Sequence, residues 1–103
     1  MNKLFIDTRD NKKIVIRLSC GGREYVESST AYEQKFQAAL PLIQKVLQKA
    51  KIKANEINEI FVESSDGSFT GLRVGIAIAN ALSFALGIKV NEKNLGDLVL
   101  PEY

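Results

Sequence analysis

The groups in this chain best suited to chemistry are the carboxylates Asp7, Glu33, Glu63 and Asp66. Brought together, such acids hold pairs of divalent cations for phosphodiester hydrolysis. Histidine is absent altogether, which removes Ser-His and Cys-His nucleophilic machinery and most zinc sites. The loop Ser64-Ser65-Asp66-Gly67-Ser68 leads into a helix amino terminus, where free N–H groups could receive an anion. Ser68 or Thr70 can cap those groups instead, and no P-loop lysine follows. Gly67-Ser68-Phe69-Thr70-Gly71 has the outline of a serine-hydrolase elbow, but that motif needs serine third of five, where Phe69 stands. Nothing in these residues calls for a cofactor.

The element that organises the rest is the stretch Gly67 to Gly87. Small residues recur at every fourth position, Gly71, Gly75, Ala79, Ser83 and Gly87, and a second row is formed by Ala77, Ala81 and Ala85. On a helical wheel the segment is apolar or small nearly all round, broken only by a strip containing Arg73, Asn80 and Ser83, so burial on most sides is expected. Interior glycine costs a helix about 1 kcal/mol relative to alanine, and close approach of another backbone would compensate. Packing on the chain's own sheet explains one such row. A helix from a second chain is the natural occupant of the other.

The elements around it follow from periodicity. Leu4 to Thr8 reads as a first strand, its consecutive Leu4, Phe5 and Ile6 suggesting burial on both faces. Ile14, Ile16 and Leu18 alternate with Val15 and Arg17 in a second strand, and Cys20-Gly21-Gly22-Arg23 closes a hairpin onto a third, polar edge strand, Arg23 to Ser28. From about Ala31 to Lys51 the spacing of Tyr32, Phe36, Ala39, Ile43, Val46 and Ala50 becomes helical, widened by Leu40 and Leu47. Ser29 or Thr30 is the expected cap, and Pro41 falls on the solvent side. Ile57 to Glu63 forms a fourth strand, parallel to the first, and a short fifth lies around Ile88 to Asn91. The order βββαβαβ is the signature of a single α/β ribonuclease-H-like domain, the unit that actin-like ATPases contain in two copies. Enzymes of that fold place carboxylates where Asp7, Glu33 and Glu63 or Asp66 stand here, so a metal-dependent nuclease is one reading. The turn Asp7-Thr8-Arg9-Asp10-Asn11 lacks the phosphate-binding glycine of the ATPases.

With 103 residues the chain is one domain, closing in a short tail from residue 92 to 103. A net charge of +2, from 14 basic and 12 acidic residues, does not mark a nucleic-acid binder. The single Cys20 has no partner, which suits a reducing, cytoplasmic setting. The amino terminus becomes charged too early for a signal peptide. The 15 uncharged residues between Arg73 and Lys89 fall short of a membrane span.

Ser65-Asp66-Gly67-Ser68-Phe69-Thr70-Gly71-Leu72-Arg73-Val74-Gly75 resembles the motif Gly-Pro-Gly-Ser-Phe-Thr-Gly-Leu-Arg-Ile-Gly of the TsaB, or YeaZ-like, family. Ile6-Asp7-Thr8, Leu40-Pro41 and Ile57-Asn58-Glu59-Ile60 add supporting matches, and Leu100-Pro101-Glu102-Tyr103 resembles the end of longer members. Ser65-Asp66 replace Gly-Pro, Lys35 stands where many members have histidine, and the family's second domain has no counterpart. The resemblance implies a non-catalytic partner of a TsaD-type enzyme in making threonylcarbamoyladenosine in transfer RNA, paired through a helical bundle with TsaD or with a second copy. TsaE- or TsaC-type proteins would act only indirectly, contact with transfer RNA would be indirect or absent, and no membrane is involved. The motif turn would comprise Gly67, Ser68, Phe69, Thr70 and Arg73. The expected partner interface is Phe36, Leu40, Ile43 and Leu47 on the first helix with Gly71, Leu72, Gly75, Ile76, Ala79 and Ser83 on the second. Gly75→Leu should then block association while leaving the fold intact. A homodimeric interaction module is the alternative reading.

Overall fold

The computed structural model describes residues 1–10, 12–30, 35–67, 69–92 and 99–100, leaving aside the side chains of Lys35, Phe36, Phe69 and Thr70. The first strands are β1 (Lys3–Asp7), with its apolar run Leu4 to Ile6, β2 (Ile14–Cys20), where apolar residues alternate, and the polar β3 (Arg23–Ser29). β2 and β3 are joined by Gly21 and Gly22 at φ 60° and 80°, the left-handed geometry of a two-residue hairpin. Then come α1 (Lys35–Ala50), a 3₁₀ turn (Ala54–Glu56), β4 (Glu59–Val62), α2 (Phe69–Leu86) and β5 (Lys89–Val90). The predicted order is therefore present. The expected start of α1 at Ala31, with its cap, falls on or beside residues outside those described.

The sheet runs β3-β2-β1-β4-β5. β1 to β3 are antiparallel, while β4 is parallel to both β1 and β5. A helical crossover between β3 and β4 leaves β4 free to return alongside β1, which a tight hairpin could not do. The result is a mixed five-stranded α/β sheet of ribonuclease-H-like type.

Strand alternation decides where the core lies. Leu4, Ile6, Ile14, Ile16, Leu18, Ile60, Val62 and Val90 share one cluster with Ala39, Leu42, Ile43, Val46 and Leu47 of α1 and Leu72, Ile76 and Ala79 of α2. Both helices thus cover the same face. Phe5 is accordingly only half-buried, which corrects the expectation that β1 is covered on both faces. Pro41 is exposed, as its place on the α1 wheel requires. Among the described residues, no helix is long and apolar enough to cross a membrane.

Candidate functional site

The small-residue row of α2 meets the end of β1. Thr8 is fully buried, and its hydroxyl donates to the Gly71 carbonyl at 2.5 Å. A Cβ on Gly75 would overlap the Thr8 hydroxyl oxygen. One on Gly67 would lie 2.8 Å from both the Cα and Cβ of Arg9. The glycines of the motif therefore admit the β1–β2 turn of their own chain. Leu72 and Ala79 are fully buried on the same side, and Ile76 nearly so.

This changes the expected interface. Gly71, Leu72, Gly75, Ile76 and Ala79, with Ile43 and Leu47 of α1, belong to the chain's own core and are not presented to a partner. The physical reason is the helical period: positions 71, 72, 75, 76 and 79 share one face, and the sheet occupies it. Ser83 is half-buried, and its hydroxyl donates to the Ile88 carbonyl, holding the turn into β5. Leu40 is the expected interface residue that stays open, at 56% exposure. The side chain of Phe36 lies outside those described, as do Ser68 and the side chains of Phe69 and Thr70. The idea that Gly75→Leu would spare the fold is overturned, because the added atoms would enter Thr8.

The second row turns outward. Arg73, Ala77, Ala81, Phe84 and Ala85 are exposed, and Phe84 presents 91% of its surface. So α2 is not buried on most sides. It has one face in the core and one apolar face toward solvent.

At the end of β1, the Arg9 guanidinium grips Asp7: Nε donates to Oδ1 at 3.1 Å and Nη2 to Oδ2 at 2.9 Å, while the Arg9 amide donates to Oδ1 at 3.0 Å. Burial pushes the Asp7 carboxyl upward, but these hydrogen bonds and the charges of Arg9 and Lys13 outweigh it and hold the carboxyl below its ordinary value. Arg9 is raised in turn, first by its hydrogen bonds to Asp7. Glu63 stands 4.0 Å away on the other side of Arg9. The acids beside this turn face a cation of the protein itself. Among the described residues, no three acids, cysteines or histidines are placed to hold a metal ion, and Glu33 falls outside them.

A family model for TsaD, tRNA N6-adenosine threonylcarbamoyltransferase, matches residues 26–92. Relatives with the name tRNA threonylcarbamoyladenosine biosynthesis protein TsaB include one from Buchnera aphidicola of Schizaphis graminum, 43% identical over 51 residues, covering 50% of this chain and 24% of the relative. That of Haemophilus influenzae is 29% identical over 87 residues, 84% of this chain and 36% of the relative. The solved structure of YeaZ from Pseudomonas aeruginosa superimposes with a TM-score of 0.79 at 26% identity, over 86% of this chain and 41% of YeaZ. The chain belongs to this family, as a TsaB (YeaZ-like) member. It spans less than half the length of these relatives.

Seen as a TsaB-type motif, the turn before α2 differs in geometry as well as sequence. Asp66 adopts φ 61°, which aspartate tolerates and the family's proline cannot, since its ring holds φ near about −65°. Two contributors in this TsaB-type domain escaped sequence reasoning. Thr8 ends a strand and belongs to the Ile6-Asp7-Thr8 match, but neither signal points to its partner, which lies 63 residues away along the chain. Asn80 exchanges two 3.1 Å hydrogen bonds with the backbone N–H and carbonyl of the buried Val99. Its place in the polar strip of α2 was the one signal available.

Proposed function

We propose that this chain is a non-catalytic TsaB-type scaffold in the threonylcarbamoyladenosine modification of transfer RNA, docking a TsaD-type partner on the outer face of α2. The observation that carries this reading is Phe84, 91% exposed beside a row of alanines, Ala77, Ala81 and Ala85. A large aromatic next to side chains short enough for close helix approach makes an anchor with a flat surround, the usual anatomy of an interface centre. On α1, Leu40 is likewise an exposed large apolar residue. The resulting contact is helix on helix, as in a bundle, and differs from the one expected at first in using the outer stripe of α2 and in losing Ile43 and Leu47 of α1, which are buried.

Scaffolding requires a rigid face. The inner side of α2 is pinned by Thr8 to Gly71, by Ser83 to Ile88 and by Asn80 to Val99, so little order is left to be gained on binding. Binding would favour the active arrangement of a partner that itself carries nucleotide and metal, with transfer RNA contacted indirectly. The same face could serve a second copy of this chain, and the mass of the complex separates the two cases.

The test is light scattering on a sizing column with the TsaD-family protein of the same source. A mixed species is expected, and Phe84→Glu should weaken it by roughly tenfold or more. Because Phe84 is exposed, the thermal midpoint of that variant should be unchanged. A mixture that never forms a complex, or a complex indifferent to Phe84→Glu, overturns the reading.

A further inference from the structure

Asn80 stands where the two faces of α2 meet. Ile76, one turn before it, is buried, whereas Phe84, one turn after it, and Ala77 are exposed. From that boundary its side-chain amide holds both polar groups of a single residue. Nδ2 donates to the Val99 carbonyl and the Val99 N–H donates to Oδ1, each at 3.1 Å. Val99 belongs to the core cluster and is 3% exposed, while Leu100 beside it is 69% exposed. The backbone at residues 99–100 is therefore fixed at the edge of the face that carries Phe84.

We propose that Val99 and Leu100 form a strap along one side of the docking face, with Leu100 as a second anchor for the TsaD-type partner and Asn80 as the residue that positions it. This rests on the reading of α2 given above and adds a part of the surface that the helix alone does not supply. Counted around the helix by its period of about 3.6 residues, the order outward from the strap is Asn80, Phe84, Ala77, Ala81, Ala85. An apolar helix seated on the alanines thus has Phe84 and the strap along the same side. A TsaD-type protein can supply such a helix, because the TsaD family model matches residues 26–92, a span that includes α2 itself.

A strap held by hydrogen bonds joins its own closure to docking. The Val99 N–H is bonded to Asn80 Oδ1, so it exchanges with solvent only when the strap opens. With Leu100 in the contact, each opening breaks part of the interface, and a docked partner lowers the open population. Conversely, a chain whose strap stands open part of the time binds in proportion to its closed fraction. A strap with no share in the contact would leave exchange and affinity independent.

The experiment measures the affinity of the TsaD-family protein of the same source for the parent chain and for Leu100→Glu, Asn80→Ala and Phe84→Glu, and follows amide exchange at Val99 with and without that protein. Leu100→Glu should weaken the complex by roughly tenfold while keeping the parent's thermal midpoint, because Leu100 is exposed. Asn80→Ala, still folded by circular dichroism, should weaken it too, and complex formation should slow exchange at Val99 in the parent by roughly tenfold or more. A complex that Phe84→Glu weakens but Leu100→Glu or Asn80→Ala does not, or Val99 exchange that the partner leaves unchanged, overturns the strap and leaves the docking face of α2 standing. No complex, or one indifferent to Phe84→Glu, overturns both.

Discussion

The Thr8 side chain fills the volume in which a Gly75 side chain would stand. Thr8 also donates a 2.5 Å hydrogen bond to the Gly71 carbonyl, one turn earlier on α2. One buried hydroxyl thus ties the end of the central strand to the helix that carries the proposed docking face.

Gly75→Ala should destabilise the fold by about 1–3 kcal/mol, since the site has no room for a methyl group. Thr8→Ala should itself lose about 1 kcal/mol with its hydrogen bond. In the double variant the clash is relieved, so its loss should be smaller than the sum of the two. Urea unfolding of the three variants measures this, and simple additivity would show that the residues do not share the space described.

Restoring the family's proline should fail. Asp66 sits at φ 61°, so Asp66→Pro forces the turn out of its conformation and should lower the thermal midpoint, while Asp66→Gly should hold or raise it. A proline variant as stable as the parent would mean that the turn readily takes the other geometry.

Asp7 makes stability depend on acid. Its folded carboxyl titrates below the ordinary value of 3.8, so its contribution is present above that value and is lost as pH falls through the folded pKa. In Arg9→Ala burial acts without its main opponent, and the Asp7 midpoint should move upward. Carbon-detected NMR titration of the Asp7 carboxyl reads both. An unchanged midpoint would remove Arg9 as the cause.

Asn80→Ala should release the backbone around Val99, which it holds by two hydrogen bonds. A loss of about 1–2 kcal/mol and faster amide exchange at Val99 are expected. Protection at Val99 equal to that of the parent would show that the apolar burial of Val99 alone holds the segment.

Most of the architecture was legible in the residues. Alternation in Ile14 to Leu18, the Gly21-Gly22 pair and the helical spacing from Phe36 to Ala50 each depend on neighbours close in sequence, and these elements formed as expected. The motif from Ser65 to Gly75 likewise identified the family, because a long run of residue types carries that information without any coordinates. Leu4, Phe5 and Ile6 were misleading, since a run of apolar residues does not say whether a second layer exists to cover the other face.

The use of the small residues was decided in three dimensions. Two rows run along α2, and local sequence makes both equally fit for close packing. Docking the helix over β1 and β4 gave the row of Gly71 and Gly75 to Thr8, and left the row of Ala77 and Ala81, with Phe84, to solvent. The sequence by itself determined that α2 had two faces able to pack. Which of them the chain keeps for itself rests on a contact between residues 63 apart, and helical periodicity carries no record of that distance.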